Sequence, residues 1–122
     1  MRHILIVDDE EVIVTSLAAF LQHNGYRVST AADGKSGIKV ARSDPPDLII
    51  TDLFMPDMDG IEFMMQFKRD QPQVHFIVMS GGGIFNHPEL LDTAKYLGAL
   101  EIFKKPFSSA DLLTTVKEAL AV

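Results

Sequence analysis

Short runs of consecutive apolar residues alternate along this chain with longer stretches whose apolar positions return every three or four residues. The first run, about residues 3–7, has strand length and strand composition. A helix follows, with Asp9 placed as its N-cap, Asn24 at its end and Gly25 as the stop beyond it. Val12, Val14, Leu17, Ala18, Phe20 and Leu21 carry most of its apolar surface. Tyr26 to Thr30 reads as a second strand, and a second helix follows the Asp33-Gly34 turn and ends before Pro45-Pro46. The pattern repeats with strand 48–51, a turn from Asp57 to Gly60, helix 60–69 and strand Val74 to Met79. The glycines at 81–83 and Pro88 delay the fourth helix to about 88–97, with Gly98 ending it. A fifth strand at about 100–103 leads to a helix that begins at Ser108, where the hydroxyl serves as cap and Asp111 favours the helix dipole.

Five β-then-α units with near-continuous apolar strands predict an α/β fold: a parallel sheet covered by helices on both faces. Right-handed crossovers make it a doubly wound open sheet, whose function is expected beyond the carboxyl ends of the strands. No internal repeat, low-complexity segment or linker interrupts the pattern, so residues 1–122 are expected to be one domain. The net charge of −6 argues against nonspecific nucleic-acid binding, which needs a basic surface. No cysteine is present, which excludes disulfides, thiolate nucleophiles and cysteine zinc sites. The N-terminal apolar run is too short for a signal peptide or a spanning helix, so a cytoplasmic protein is expected.

Polar residues stand at four of the predicted strand ends. Asp8 and Asp9 close the first strand, Asp52 the third and Ser80 the fourth, while Lys105 lies just past the fifth. If the first and third strands are parallel neighbours, three carboxylates converge, and a cation or protonation must relieve their repulsion. Mg²⁺ suits such hard oxygen ligands. The four histidines, 3, 23, 75 and 87, show no ligand spacing. Met55, Met58, Met64 and Met65 with Phe63 and Phe67 read as core packing, with a partner surface as the second reading.

In order and spacing, Ile4-Leu5-Ile6-Val7-Asp8-Asp9-Glu10, then Asp52-Leu53-Phe54-Met55-Pro56-Asp57-Met58-Asp59-Gly60, then Lys104-Lys105-Pro106-Phe107 resemble a response-regulator receiver domain of two-component signalling. The likeness covers essentially the whole chain. It implies a five-stranded flavodoxin-like (βα)5 sheet of order 2-1-3-4-5. It also implies a phosphoacceptor protein that takes a phosphoryl group from a histidine kinase or phosphotransfer protein, with Mg²⁺ as cofactor. Asp52 would be the nucleophile, since a carboxylate is ionised at neutral pH and yields a high-energy acyl phosphate. Asp9 would hold the metal directly and Asp8 through water, with Asp52 and the Phe54 backbone carbonyl completing the protein ligands. Lys105 would reach Asp52 and then the phosphate as a point charge, aimed by a cis-proline at Pro106. Ser80 would donate its hydroxyl to a phosphoryl oxygen. Glu10 and Glu11 read as solvated acids of the first helical turn, and Lys104 as a solvated neighbour. The phosphorylation state would control an output partner through the face of helix 4, strand 5 and helix 5.

Two positions depart from the family pattern. Where many receivers carry Tyr or Phe three residues before the lysine, this chain has Ile102, and Phe103 would alternate to the opposite face. The run Gly81-Gly82-Gly83 follows Ser80, and ordering of this segment on phosphorylation would substitute for the missing ring movement. Three rival readings fit these residues less well. A phosphatase of the haloacid-dehalogenase type needs an aspartate two residues after the nucleophile, where Phe54 stands. A flavodoxin needs phosphate donors after strand 1, where Asp8-Asp9-Glu10-Glu11 would repel phosphate. A receiver-like interaction module without phosphorylation is disfavoured because every acceptor, metal and lysine position is filled. Whether the chain stands alone or is the receiver of a longer regulator is left open by its length.

Overall fold

The computed structural model describes residues 1–55, 57–81 and 86–121. Five strands alternate with five helices: β1 His3–Val7, α1 Glu11–His23, β2 Arg27–Ala31, α2 Gly34–Ser43, β3 Leu48–Asp52, α3 Gly60–Asp70, β4 His75–Ser80, α4 Pro88–Tyr96, β5 Ala99–Lys104 and α5 Ser109–Leu120. All strands are parallel, in the order β2-β1-β3-β4-β5. The expected topology is therefore present, with boundaries displaced by one or two residues.

Alternation along each strand divides the core in two. Leu5, Val7, Ile49, Phe76 and Val78 face α2, α3 and α4, where Ile38, Phe63, Met64, Phe67 and Ala94 cover them. Ile4, Ile6, Ile50, Ile77 and Met79 face α1 and α5, against Leu17, Leu21, Leu112 and Val116. Each such large side chain taken out of water contributes roughly 1.5–3 kcal/mol. The central strands are buried on both faces and can be apolar throughout. The edge strands β2 and β5 are partly exposed and carry Arg27, Ser29, Thr30 and Glu101, which discourages pairing with another chain.

Local chemistry sets the helix ends. Asp33, Asp59 and Ser108 cap α2, α3 and α5 by accepting the amides of Ser36, Glu62 and Asp111. Gly25 and Gly98 adopt φ of 94° and 111°, the left-handed region that glycine tolerates, just past α1 and α4. The start of α1 differs from expectation. Its N-cap is Glu10, not Asp9, and Glu10 makes no side-chain capping bond. The backbone turns one residue later because Asp8 Oδ1 accepts the Glu10 amide at 2.9 Å. Val12, expected on the apolar face of α1, is 80% exposed. Phe63, Met64 and Phe67 are core residues as expected, while Met65 lies on the outer side of α3.

The registers carry the functional positions to one edge. Val7 pairs with Thr51, which sets Asp8 beside Asp52 one step further on. Asp52 pairs with Met79 and Ser80 with Lys104, so Ser80 and Lys105 follow on the adjacent strands.

Candidate phosphoacceptor site

Asp8 and Asp52 are buried at the carboxyl ends of β1 and β3, and Lys105 Nζ lies between them. It donates to Asp8 Oδ2 at 2.8 Å, Asp52 Oδ2 at 2.9 Å and Glu10 Oε1 at 2.7 Å. The lysine is placed at the end of β5 by its own backbone, whose N–H donates to Ser80 O at 2.8 Å, and the Lys105-Pro106 bond that follows is cis. Asp52 is oriented from the other side, because the Phe54 amide donates to its Oδ1 at 3.0 Å. Phe54 is half exposed, in the turn that leaves β3.

Three carboxylates against one ammonium leave the group negative. Ligand oxygens of Asp8, Glu10 and Asp52 lie within 4.8 Å of one another. At that separation two unit charges repel by about 3 kcal/mol at an effective dielectric of about 20. Burial pushes the Asp8 carboxyl above its ordinary value, even though Lys105 and the Glu10 amide favour its charged form. Burial also works against the Lys105 ammonium, but hydrogen bonds to Asp8, Glu10 and Asp52 outweigh it and hold the amine protonated well above the usual range. Ser80 is fully buried, and among the described residues its Oγ has no hydrogen-bond partner. Such an atom costs about 1–3 kcal/mol unless something supplies one.

The donor set fits a hard divalent cation: carboxylate oxygens only, with one orphaned hydroxyl at the end of the adjacent strand. The structure thus brings Asp8, Asp52 and Lys105 together and sets Ser80 on the neighbouring strand end. Asp9 is exposed and lies outside the group that Asp8, Glu10 and Asp52 form. Glu10 stands within that group. Read from sequence as a solvated first-turn acid, it reaches Lys105 instead, which also explains why it leaves α1 uncapped. Its position two residues after Asp8, just where the chain turns back over the strand ends, was the available signal. The histidines stay outside the group, and His3 is buried with its ring on Ser29 Oγ at 2.7 Å.

Ile102 packs toward α2, α3 and α4, and Phe103 toward α1 and α5, so the two do face opposite ways. Of the glycine run, Gly82 and Gly83 lie outside the described residues, as do Ile84 and Phe85, and the expected ordering of that segment falls there.

This fold and this site define a signalling receiver of the aspartate type. The chain matches the response regulator receiver domain over residues 4–117 and belongs to that family. It is 40% identical over 119 residues to the alkaline phosphatase synthesis transcriptional regulatory protein PhoP of Bacillus subtilis, covering 98% of this chain and 48% of PhoP. Among solved structures it resembles a CheY-like receiver domain protein of Methanospirillum hungatei, with a TM-score of 0.90 and 30% identity over 97% of this chain and 92% of that one. It also resembles the response regulator TrrA of Thermotoga maritima, solved in complex with Mg²⁺-BeF, with a TM-score of 0.85 and 30% identity over 98% of this chain and 100% of that one. The chain spans about half the length of the curated relatives it matches. Among the described residues no helix is long and apolar enough to cross a membrane.

Proposed function

We propose that Asp52 accepts a phosphoryl group from a histidine kinase or phosphotransfer protein in a Mg²⁺-dependent reaction, and that its phosphorylation state controls an output partner. The observation that carries this reading is the buried Asp52 carboxylate held 2.9 Å from a Lys105 ammonium, inside a group with two further acids. An oxygen of Asp52 attacks phosphorus as the P–N bond of the donor's phosphohistidine breaks, and the bonding electron pair leaves on the imidazole. Lys105 transfers from the Asp52 carboxylate to a phosphoryl oxygen, and Ser80 Oγ donates to another, which satisfies its orphaned hydroxyl. Asp8, Asp52, the Phe54 carbonyl and either Asp9 or Glu10 would hold Mg²⁺, which supplies charge neutralisation and orientation. The protein catalyses only its own phosphorylation and dephosphorylation and acts in the cytoplasm, without nucleic-acid contacts of its own.

Partner recognition is assigned to the face of α4, β5 and α5, where Tyr96 and Leu100 are exposed. Equal affinity of a partner for both phosphorylation states would count against that face as the output surface.

Incubation with acetyl phosphate and Mg²⁺, followed by intact mass, tests the acceptor reading. A gain of one phosphoryl group is expected, abolished by EDTA and absent from Asp52→Ala. No gain from acetyl phosphate or from a cognate kinase would favour the interaction-module reading.

A further inference from the structure

Asp57 is exposed, yet both of its carboxylate oxygens are engaged with α2. Oδ1 accepts the Gly34 amide and Oδ2 the Lys35 amide, each at 2.9 Å. These are the first amides of the helix, which no residue within it can satisfy. The next, Ser36, goes to the helix's own cap Asp33 at 2.8 Å. The start of α2 is thus held twice, once by its own chain and once by a residue 23 positions on. Burial pushes the Asp57 carboxyl up, but the Lys35 and Gly34 amides outweigh it and hold the carboxyl below its ordinary value. The approach is close, since a Cβ at Gly34 would lie 2.4 Å from Met58 Cγ.

The same stretch of chain orients Asp52. Phe54 donates its amide to Asp52 Oδ1 at 3.0 Å, Gly60 donates to Leu53 O at 2.7 Å, and Phe54 and Asp59 form an antiparallel bridge. With Oδ1 occupied by Phe54, Oδ2 is the oxygen that meets Lys105. The turn after β3 is therefore tied to β3 at its two ends and to α2 through Asp57.

We propose that Asp57 is a positioning residue for the phosphoacceptor: by anchoring the turn to α2 it keeps the Phe54 amide on Asp52 Oδ1 and leaves Oδ2 facing Lys105. The inference rests on the reading of Asp52 as acceptor. A helix cap alone is already provided by Asp33, and Asp57 adds a tie between the turn and a neighbouring helix.

Asp33→Ala is the discriminating control, because it removes a capping bond from the same helix end without touching the turn. Phosphoryl uptake from acetyl phosphate and amide exchange at Phe54 are measured in the full chain. Asp57→Ala is expected to take up phosphate about tenfold more slowly, short of the roughly hundredfold that a 1 Å displacement of a reacting group costs, and to exchange Phe54 faster. Asp33→Ala should match wild type in both. Should Asp57→Ala not fold, Asp57→Asn, which keeps one acceptor oxygen, is compared instead. Wild-type uptake, unchanged Phe54 exchange, or the same losses in Asp33→Ala would overturn the proposal. If wild type itself takes up no phosphoryl group, the acceptor reading fails, and Phe54 exchange alone decides whether Asp57 places the turn.

Discussion

Lys105 holds Asp8, Asp52 and Glu10 with a single ammonium, and the three acids are not equivalent. Asp8 and Asp52 are fixed at strand ends and buried, whereas the Glu10 side chain is 54% exposed and swings from the start of α1. Asp8 pays most for its position, because its burial penalises the charged form. Its carboxyl titrates above the ordinary value near 3.9. The stability linked to it is therefore fully present below that value and is lost as pH rises through the folded-state value. Asp8→Asn, which removes the charge and keeps the shape, is expected to stabilise the protein at pH 7 by about 1 kcal/mol. Thermal melts should show that gain shrinking as pH falls through the folded-state value and gone below about pH 4. Mg²⁺ should raise the wild-type melting temperature and raise that of the variant much less. An unchanged or lowered melting temperature for Asp8→Asn at pH 7 would contradict this. The residue types of the site were legible in the sequence because apolar strands ending in Asp, Asp, Ser and Lys are distinctive. The partner of Glu10 was not, because a first-turn acid is equally at home in solvent.

Among the elements, the turn between β3 and α3 does the most to shape the site. Gly60 begins α3 where a Cβ would stand 2.5 Å from Leu53 Cα and 2.7 Å from Asp52 O. Both are backbone atoms of the segment that carries the acceptor, and they cannot move aside as a side-chain tip can. Gly60→Ala is expected to cost about 2–3 kcal/mol and to slow phosphoryl uptake. Gly81→Ala, where a Cβ would meet nothing within 4 Å among the described residues, should stay within about 0.5 kcal/mol of wild type. Urea unfolding of the two variants makes the comparison, and equal midpoints would refute it. The sequence pattern located all ten elements because apolar periodicity and helix stops mark their interiors. It misplaced the start of α1, since Asp9 and Glu10 are both acceptable there and the choice depends on Asp8 capturing the Glu10 amide. The link from Asp57 to α2 was likewise invisible, because it joins residues brought together only by the tertiary fold.

At the scale of the whole molecule, the parallel order β2-β1-β3-β4-β5 gathers four strand ends from distant parts of the chain at one edge. Two-sided burial of the central strands made a parallel sheet legible from the sequence, while the strand order came from family likeness. A cation that binds only the folded protein links this edge to global stability. Mg²⁺ at about 100 times its dissociation constant should add about 2.7 kcal/mol.

Locating the phosphorylated carboxylate is the direct test. After reaction with acetyl phosphate and Mg²⁺, borohydride reduction converts an aspartyl phosphate to homoserine, which peptide mass mapping then places in the sequence. Conversion at Asp52 alone is expected, and it should disappear with EDTA. Homoserine at Asp8 or Asp9, the hydroxynorvaline that a reduced glutamyl phosphate would leave at Glu10, or undiminished conversion in an Asp52→Asn variant would contradict Asp52 as the acceptor.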